Sequence, residues 1–240
     1  MSPYAVFVLM KQTTFERILC EKSIYNYIRA GLIPGVTMKQ MAYVKKKRKK
    51  EQIKRLPRVK EAPSIDDRPK DILTRSEFGH WEIDTVYSGK GCSSACLLVL
   101  TERKTLYELV YKMPDRTAAS TVKVLNRIER KIGRRKFRDI FKTITCDNGV
   151  EFLDYYQMIK HNRTELYYCH PYCSSERGSN ENQNKLIRRW IPKGDDIGLY
   201  NKKDVAAIQD WINEMPRRKF NGASAFDMVE LHKFNTLINA

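Results

Sequence analysis

Three carboxylates in this sequence fall where strand ends and a helix head would place them. Asp84 sits at the end of the alternating run that begins at Trp81, and Asp147 directly follows the apolar run Ile144-Thr145-Cys146. Glu181 follows with 33 residues between it and Asp147, in the polar segment Arg177-Gly178-Ser179-Asn180-Glu181-Asn182. Converging acids of this kind have a chemical use. Phosphodiester transfer needs little covalent help from protein, but it needs two hard cations about 3.5–4 Å apart to activate the attacking oxygen and stabilise the leaving one. Carboxylate oxygens are the ligands that magnesium prefers. A zinc site would call for histidines, and of the four present none is spaced as a ligand pair. Each aspartate taken alone also reads as a loop residue, Asp147-Asn148-Gly149 being a turn signal. The third acid is what shifts the balance towards a site.

Elements must exist to bring these residues together. Trp81, Ile83 and Thr85 alternate with Glu82 and Asp84, and 95–101 and 105–113 are two further β-rich runs, which predicts an antiparallel meander. The stripe Val124, Leu125, Ile128 and Ile132 predicts a helix over 117–132. A short buried-type strand over 141–146, a helix over 151–161 and a strand over 164–169 follow. Residues 176–190 read as a helix stopped by Pro192, and 204–215 as a last helix before Pro216. The order βββαβαβα, with one more helix, is an α/β layer arrangement.

Ahead of this core, Ser2-Pro3 reads as the start of a helix through Lys11, and residues 22–30 as a second helix closed by Gly31. The pair is either a helix-turn-helix, with Ser23, Tyr25, Asn26 and Arg29 facing DNA, or a plain helical hairpin. Residues 45–55 then hold 8 Lys/Arg in 11 positions, Lys45, Lys46, Lys47, Arg48, Lys49 and Lys50 among them, and read as a linker. The expected organisation is a helix-turn-helix region over 1–40, a basic linker over 41–70 and a catalytic domain over 71–240.

Charge points to the partner. Residues 1–60 carry 15 Lys/Arg against 3 Asp/Glu, a net +12 of the total +17. With the whole chain at a pI near 9.6, that block suits nucleic-acid phosphates better than a merely solvated tail. No apolar run approaches the roughly 18 residues of a membrane span. The six cysteines read as reduced thiols, so the chain is expected in the cytoplasm of a prokaryotic cell, associated with the nucleoid.

Three blocks, Gly79-His80-Trp81-Glu82-Ile83-Asp84-Thr85-Val86, Ile144-Thr145-Cys146-Asp147-Asn148-Gly149-Val150-Glu151-Phe152, and Glu176 through Asn182 on to Leu186-Ile187-Arg188, closely resemble those of the insertion sequence thirty transposases. The likeness runs from Ser2 through Pro216-Arg217-Arg218-Lys219. It implies a ribonuclease-H-like core, as in retroviral integrases, with Asp84, Asp147 and Glu181 as a metal-binding catalytic triad. It also implies two magnesium ions, with manganese able to substitute, and double-stranded DNA as partner, both element ends and target. A homo-oligomer is expected in the DNA complex, with no membrane involved. Lys185 stands where the family usually has glycine, and Ser224-Ala225 replaces its usual Thr-Pro. Family members usually carry another DNA-binding region before the equivalent of Ser2, so an amino-terminally shortened copy is expected.

Around the triad, Arg188, and with it Arg177, could hold phosphates; Lys185 could do so or could pair with Glu181 at i,i+4. Glu82 shares the strand face of Asp84 and could tune the site or stand solvated. Asn148, Asn180 and Asn182 could position water or phosphate, or cap turns. Cys92 with Cys96, and Cys169 with His170 and Cys173, are poorly spaced for zinc. Two other functions compete with strand cleavage and transfer: a non-catalytic DNA-binding regulator, and a related metal-dependent nuclease.

Overall fold

The computed structural model describes residues 2–11, 13, 19–38, 41, 62–171, 173, 176 and 178–231, the side chains of Glu181, Glu230 and Leu231 excepted. Two short helices come first, α1 (Pro3–Lys11) and α2 (Glu21–Arg29). Ser2 Oγ accepts the Ala5 N–H at 3.1 Å, and the chain leaves α2 through Gly31 at φ 70°, a conformation that costs glycine nothing. The pair rests against the 217–222 segment. Glu21 is ion-paired with Arg218, whose guanidinium lies 4.8 Å from the centre of the Tyr4 ring.

The core is a five-stranded mixed sheet in the order β3-β2-β1-β4-β5. Strands β1 (His80–Tyr87), β2 (Cys96–Glu102) and β3 (Glu108–Met113) form the expected antiparallel meander, and β4 (Thr143–Cys146) and β5 (Glu165–Tyr168) add on parallel to β1. β3 starts later than its β-rich composition suggests. The Glu102 carboxylate gathers the Thr105 N–H and hydroxyl at 2.6 and 2.7 Å, and Leu106 turns at φ 57°, so 103–106 make the hairpin.

Helices cover both faces. The crossover from β3 to β4 contains α3 (Ala118–Ile132), capped by Thr117, and a helix that periodicity did not reveal, α4 (Arg134–Ile140). The continuous helix expected over 151–161 is not formed. A turn at Val150–Phe152 gives way to the single-turn α5 (Tyr155–Met158), restarted by the Asp154 carboxylate on Gln157 N, and the chain turns left-handed at His161 and Asn162. Then come α6 (Gly178–Trp190), α7 (Lys202–Glu214) and a further unforeseen helix, α8 (Ala225–Leu231).

Alternation along β1 decides what faces what. Trp81 and Ile83 pack with Leu125, Ile128 and Phe137 on the α3–α4 side, and Trp81 Nε1 donates to Ile140 O at 2.8 Å. Val86, Leu97, Val99 and Val110 pack with Ile187, Ile191, Val205, Ile208 and Ile212 on the α6–α7 side. Each such side chain contributes about 1.5–3 kcal/mol on full burial. The same alternation puts Glu82 and Asp84 on the α6 face. Residues 62–74 run beside β5, where Pro63 O accepts the Tyr168 N–H at 3.0 Å and Ser64 bridges to Tyr168. None of the described helices is long and apolar enough to cross a membrane.

Candidate active site

The parallel register pairs Glu82 with Thr145, so two residues further along each strand come Asp84 and Asp147, at neighbouring positions by the carboxyl end of β4. Both are half-buried. Asp84 Oδ1 accepts the Thr85 N–H at 2.8 Å, and Oδ2 accepts the Asn184 amide at 2.9 Å. Asp147 Oδ1 accepts the Gly149 N–H at 2.9 Å. Glu181 is the fourth residue of α6, and its side chain lies outside the described residues. Its helix is nonetheless fixed over β1 by the neighbours on either side. Asn180 N donates to Glu82 Oε2 at 3.1 Å, and Asn184 reaches Asp84. The fold thus brings together the backbone positions of all three acids.

Glu82 is not the solvated strand carboxylate that its sequence allows. It is fully buried, and Oε1 accepts from Arg103 Nη1 at 2.5 Å. A second buried acid, Glu151, went unremarked as a site residue in the sequence. It accepts the Thr85 hydroxyl at 2.5 Å and Arg116 Nε at 2.9 Å, tying the loop after Asp147 to the residue after Asp84. Its presence in the block with Asp147 was the available signal. Gly149 lets this loop close. A Cβ there would stand 2.6 Å from Glu151 Oε2 and 2.9 Å from Asp147 Oδ1.

The remaining expected residues are dispersed. Arg188 donates to the carbonyls of Tyr87 and Pro192, at 2.9 and 3.4 Å, which ties α6 to the end of β1, and burial lowers its pKa. Lys185 Nζ donates to Asn182 Oδ1 at 3.3 Å. Asn148 is buried with its amide on Cys169 O, holding the Asp147 loop against β5, and Asn180 is buried while Asn182 is exposed. On α2, far along the chain from the acids, Asn26 and Arg29 are exposed while Ser23 and Tyr25 are half-buried. Arg177 and Lys45 through Lys50 lie outside the described residues.

The cysteines form no disulfide, and His170 is engaged by Glu176 at Nδ1 and Asp66 at Nε2, at 2.7 and 2.9 Å. Those contacts, Glu176 first, raise its pKa. Among the described residues no group of three His, Cys, Asp or Glu side chains is arranged to hold a metal. At the aspartates the donor set is carboxylate oxygen, which suits a hard divalent cation. The missing Cβ of Gly149 leaves Asp147 the room such a ligand needs.

A meander joined to two parallel strands, with one acid within β1 and the next just past β4, both beneath a facing helix, defines an integrase-type core. Residues 75–174 match the integrase core domain family. The chain is 35% identical over 212 residues to the probable transposase for insertion-like sequence element IS1161 of Streptococcus salivarius, covering 88% of this chain and 58% of that protein. It is 33% identical over 175 residues to the transposase for insertion sequence element IS4351 of Bacteroides fragilis (73% and 50%). To the transposase InsI for insertion sequence element IS30A of Escherichia coli K12 it is 25% identical over 170 residues (69% and 42%). The chain thus spans about half the length of these relatives. The catalytic core domain of BIV integrase aligns in structure at 14% identity and a TM-score of 0.47, over 67% of this chain and 99% of that one. The chain is thus similar to insertion-sequence transposases, those of the IS30 type among them.

Proposed function

We propose that this chain cleaves DNA strands at the ends of its mobile element and transfers them to target DNA, using Asp84, Asp147 and Glu181. The observation that carries this reading is the β1–β4 register, which sets two aspartates side by side under the helix that bears the third acid. Divalent cations, magnesium or manganese and two in number, would be held by these carboxylates and supply activation of the attacking oxygen and stabilisation of the departing one. The protein's own part is placement. Asn184 orients Asp84, the Gly149 N–H orients Asp147, and Glu82 fixes the first turn of α6.

Under this reading, the helix pair within residues 1–40 contacts DNA through Ser23, Tyr25, Asn26 and Arg29. The basic run within 41–70 adds phosphate contacts that carry no sequence information, as do Arg177 and Arg188. A homo-oligomer assembles on paired ends, since two ends must be joined in one event.

The test is Asp84→Asn, Asp147→Asn and Glu181→Gln with end DNA and magnesium. Each is expected to lose cutting by more than about a thousandfold while binding DNA nearly as wild type, because an amide keeps the shape but not the charge. Near-normal cutting by any one of them removes that residue from the site.

A further inference from the structure

The sheet face that carries both aspartates also carries a group of arginines the carboxylates do not use. A cavity of about 450 Å³ opens there, lined by Arg68, Lys70, Arg75 and Arg103 together with Asp66 and Glu176. Arg68 and Arg103 are only 6% and 4% exposed, so their charges have left water and require partners. Few are supplied. Glu82 meets Arg103 at one nitrogen, while Arg68 Nη1 donates to the neutral Thr145 hydroxyl at 2.9 Å. Asp66 and Glu176 are both drawn onto His170. Arg103 Nε is buried with no acceptor among the described residues.

The cations crowd one another. Burial lowers the Arg103 pKa; Glu82 opposes this, and Arg68 and Arg75 lower it further by their charge. Lys219 likewise feels Arg75 and Arg103. Arg75 sits at φ 56°, a backbone state that non-glycine residues hold at a cost and that clusters at binding sites. Buried cations outnumbering their acids, with an orphaned donor beside an open cavity, form an anion site. Guanidinium forks match phosphate oxygens two at a time.

We propose that this cavity is a phosphate subsite that takes one backbone phosphodiester of the DNA strand, next to the one presented to the aspartates. Its placement fits. Arg103 and Arg68 reach Glu82 and Thr145, which are paired in register, and Asp84 and Asp147 stand two residues further on, roughly 7 Å along the strands. The identity of the strand rests on the function proposed above, whereas the anion chemistry does not.

The test uses Arg75→Gln, with Lys70→Gln at an exposed position as the second variant, and end duplexes carrying a single uncharged methylphosphonate at successive positions. Binding is measured by anisotropy without metal. At one position the neutral linkage should weaken the wild type about tenfold and either variant less than twofold, and each variant should lose about 0.9 of the salt slope, the signature of one lost phosphate contact. Inorganic phosphate should raise the melting temperature of the wild type more than that of the variants. Equal losses in wild type and variants at every position overturn the subsite. Stabilisation by inorganic phosphate without any such DNA position assigns the cavity to a free anion and overturns the DNA reading. Because no cutting is scored, failure of the triad in the cleavage assay is a separate outcome.

Discussion

The side-chain amide of Asn184 donates to Asp84 Oδ2 at 2.9 Å, joining residues a hundred positions apart in the chain and fixing α6 to the acid-bearing end of β1. Hydrogen bonds to charged groups contribute about 1.5–3 kcal/mol. Asn184→Ala should therefore slow cutting roughly ten- to a hundredfold and raise the magnesium concentration needed for half-maximal rate. DNA affinity should hold. A magnesium titration of the cleavage rate separates the two effects, and an unchanged midpoint would free Asp84 from Asn184.

Gly149 is a second point of control, through sterics. Its φ is ordinary, so alanine is not excluded by backbone strain; the obstacle is the pair of carboxylate oxygens within 3 Å of the added carbon. Gly149→Ala should displace Asp147 or Glu151 and cut activity at least about a hundredfold, the scale on which angstrom misplacements act. Full activity with an unshifted melting temperature would show that the loop yields freely.

Glu82 and Arg103 form a buried pair, and such pairs respond asymmetrically. Removing one partner leaves a stranded charge and costs about 3–5 kcal/mol, while replacing both with apolar residues is often neutral. Glu82→Met should thus destabilise strongly in urea unfolding, and Glu82→Met with Arg103→Met should recover much of the loss. The double variant should still cut poorly, since Asn180 N loses its acceptor and α6 its anchor. Additive losses in the cycle would argue that the two residues act independently.

Glu108 offers a pH test. Burial pushes its carboxyl up to about 8, against the pull of Arg217. The folded state therefore keeps a proton that the unfolded chain releases near the ordinary carboxylate value of about 4.3. Stability from this group is full at acid pH, falls as the pH rises towards 8, and is flat beyond. Glu108→Gln should flatten that slope, measured as unfolding free energy between pH 5 and about 8. An equally steep slope in the variant would place the titration elsewhere.

Much of the fold was legible because the sheet has clear patterns. Alternation gave β1, and the 3.6-residue stripe of Val124, Leu125, Ile128 and Ile132 gave α3. α4 stayed hidden because seven residues with only Phe137 and Ile140 buried hold too little period beneath Arg134, Arg135, Lys136 and Arg138. The break in 151–161 turned on Asp154 acting as a cap, and capping there competes with continuing the helix. At the site, the sequence puts Asp84 at the end of an alternating strand and Asp147 after an apolar run; β1 in fact runs on to Tyr87, so Asp84 lies within it. Glu82 could not be read in this way, since its burial depends on Arg103, which comes from the β2–β3 turn. The arginine cavity was equally invisible. Arg68, Arg75 and Arg103 are ordinary surface cations in one dimension, and only packing of 65–75 against the sheet makes them neighbours.

The stretch 63–68 is fastened at three points: Pro63 on Tyr168, Asp66 on His170 and Arg68 on Thr145. It lies parallel to β5, so tension along the chain loads these bonds together in shear instead of peeling them one at a time. The chain ahead of Ala62 consequently departs from a fixed origin close to the acids. Under the proposed function, DNA held by residues ahead of Ala62 is presented to the acids from that origin, at an effective concentration independent of its concentration in bulk.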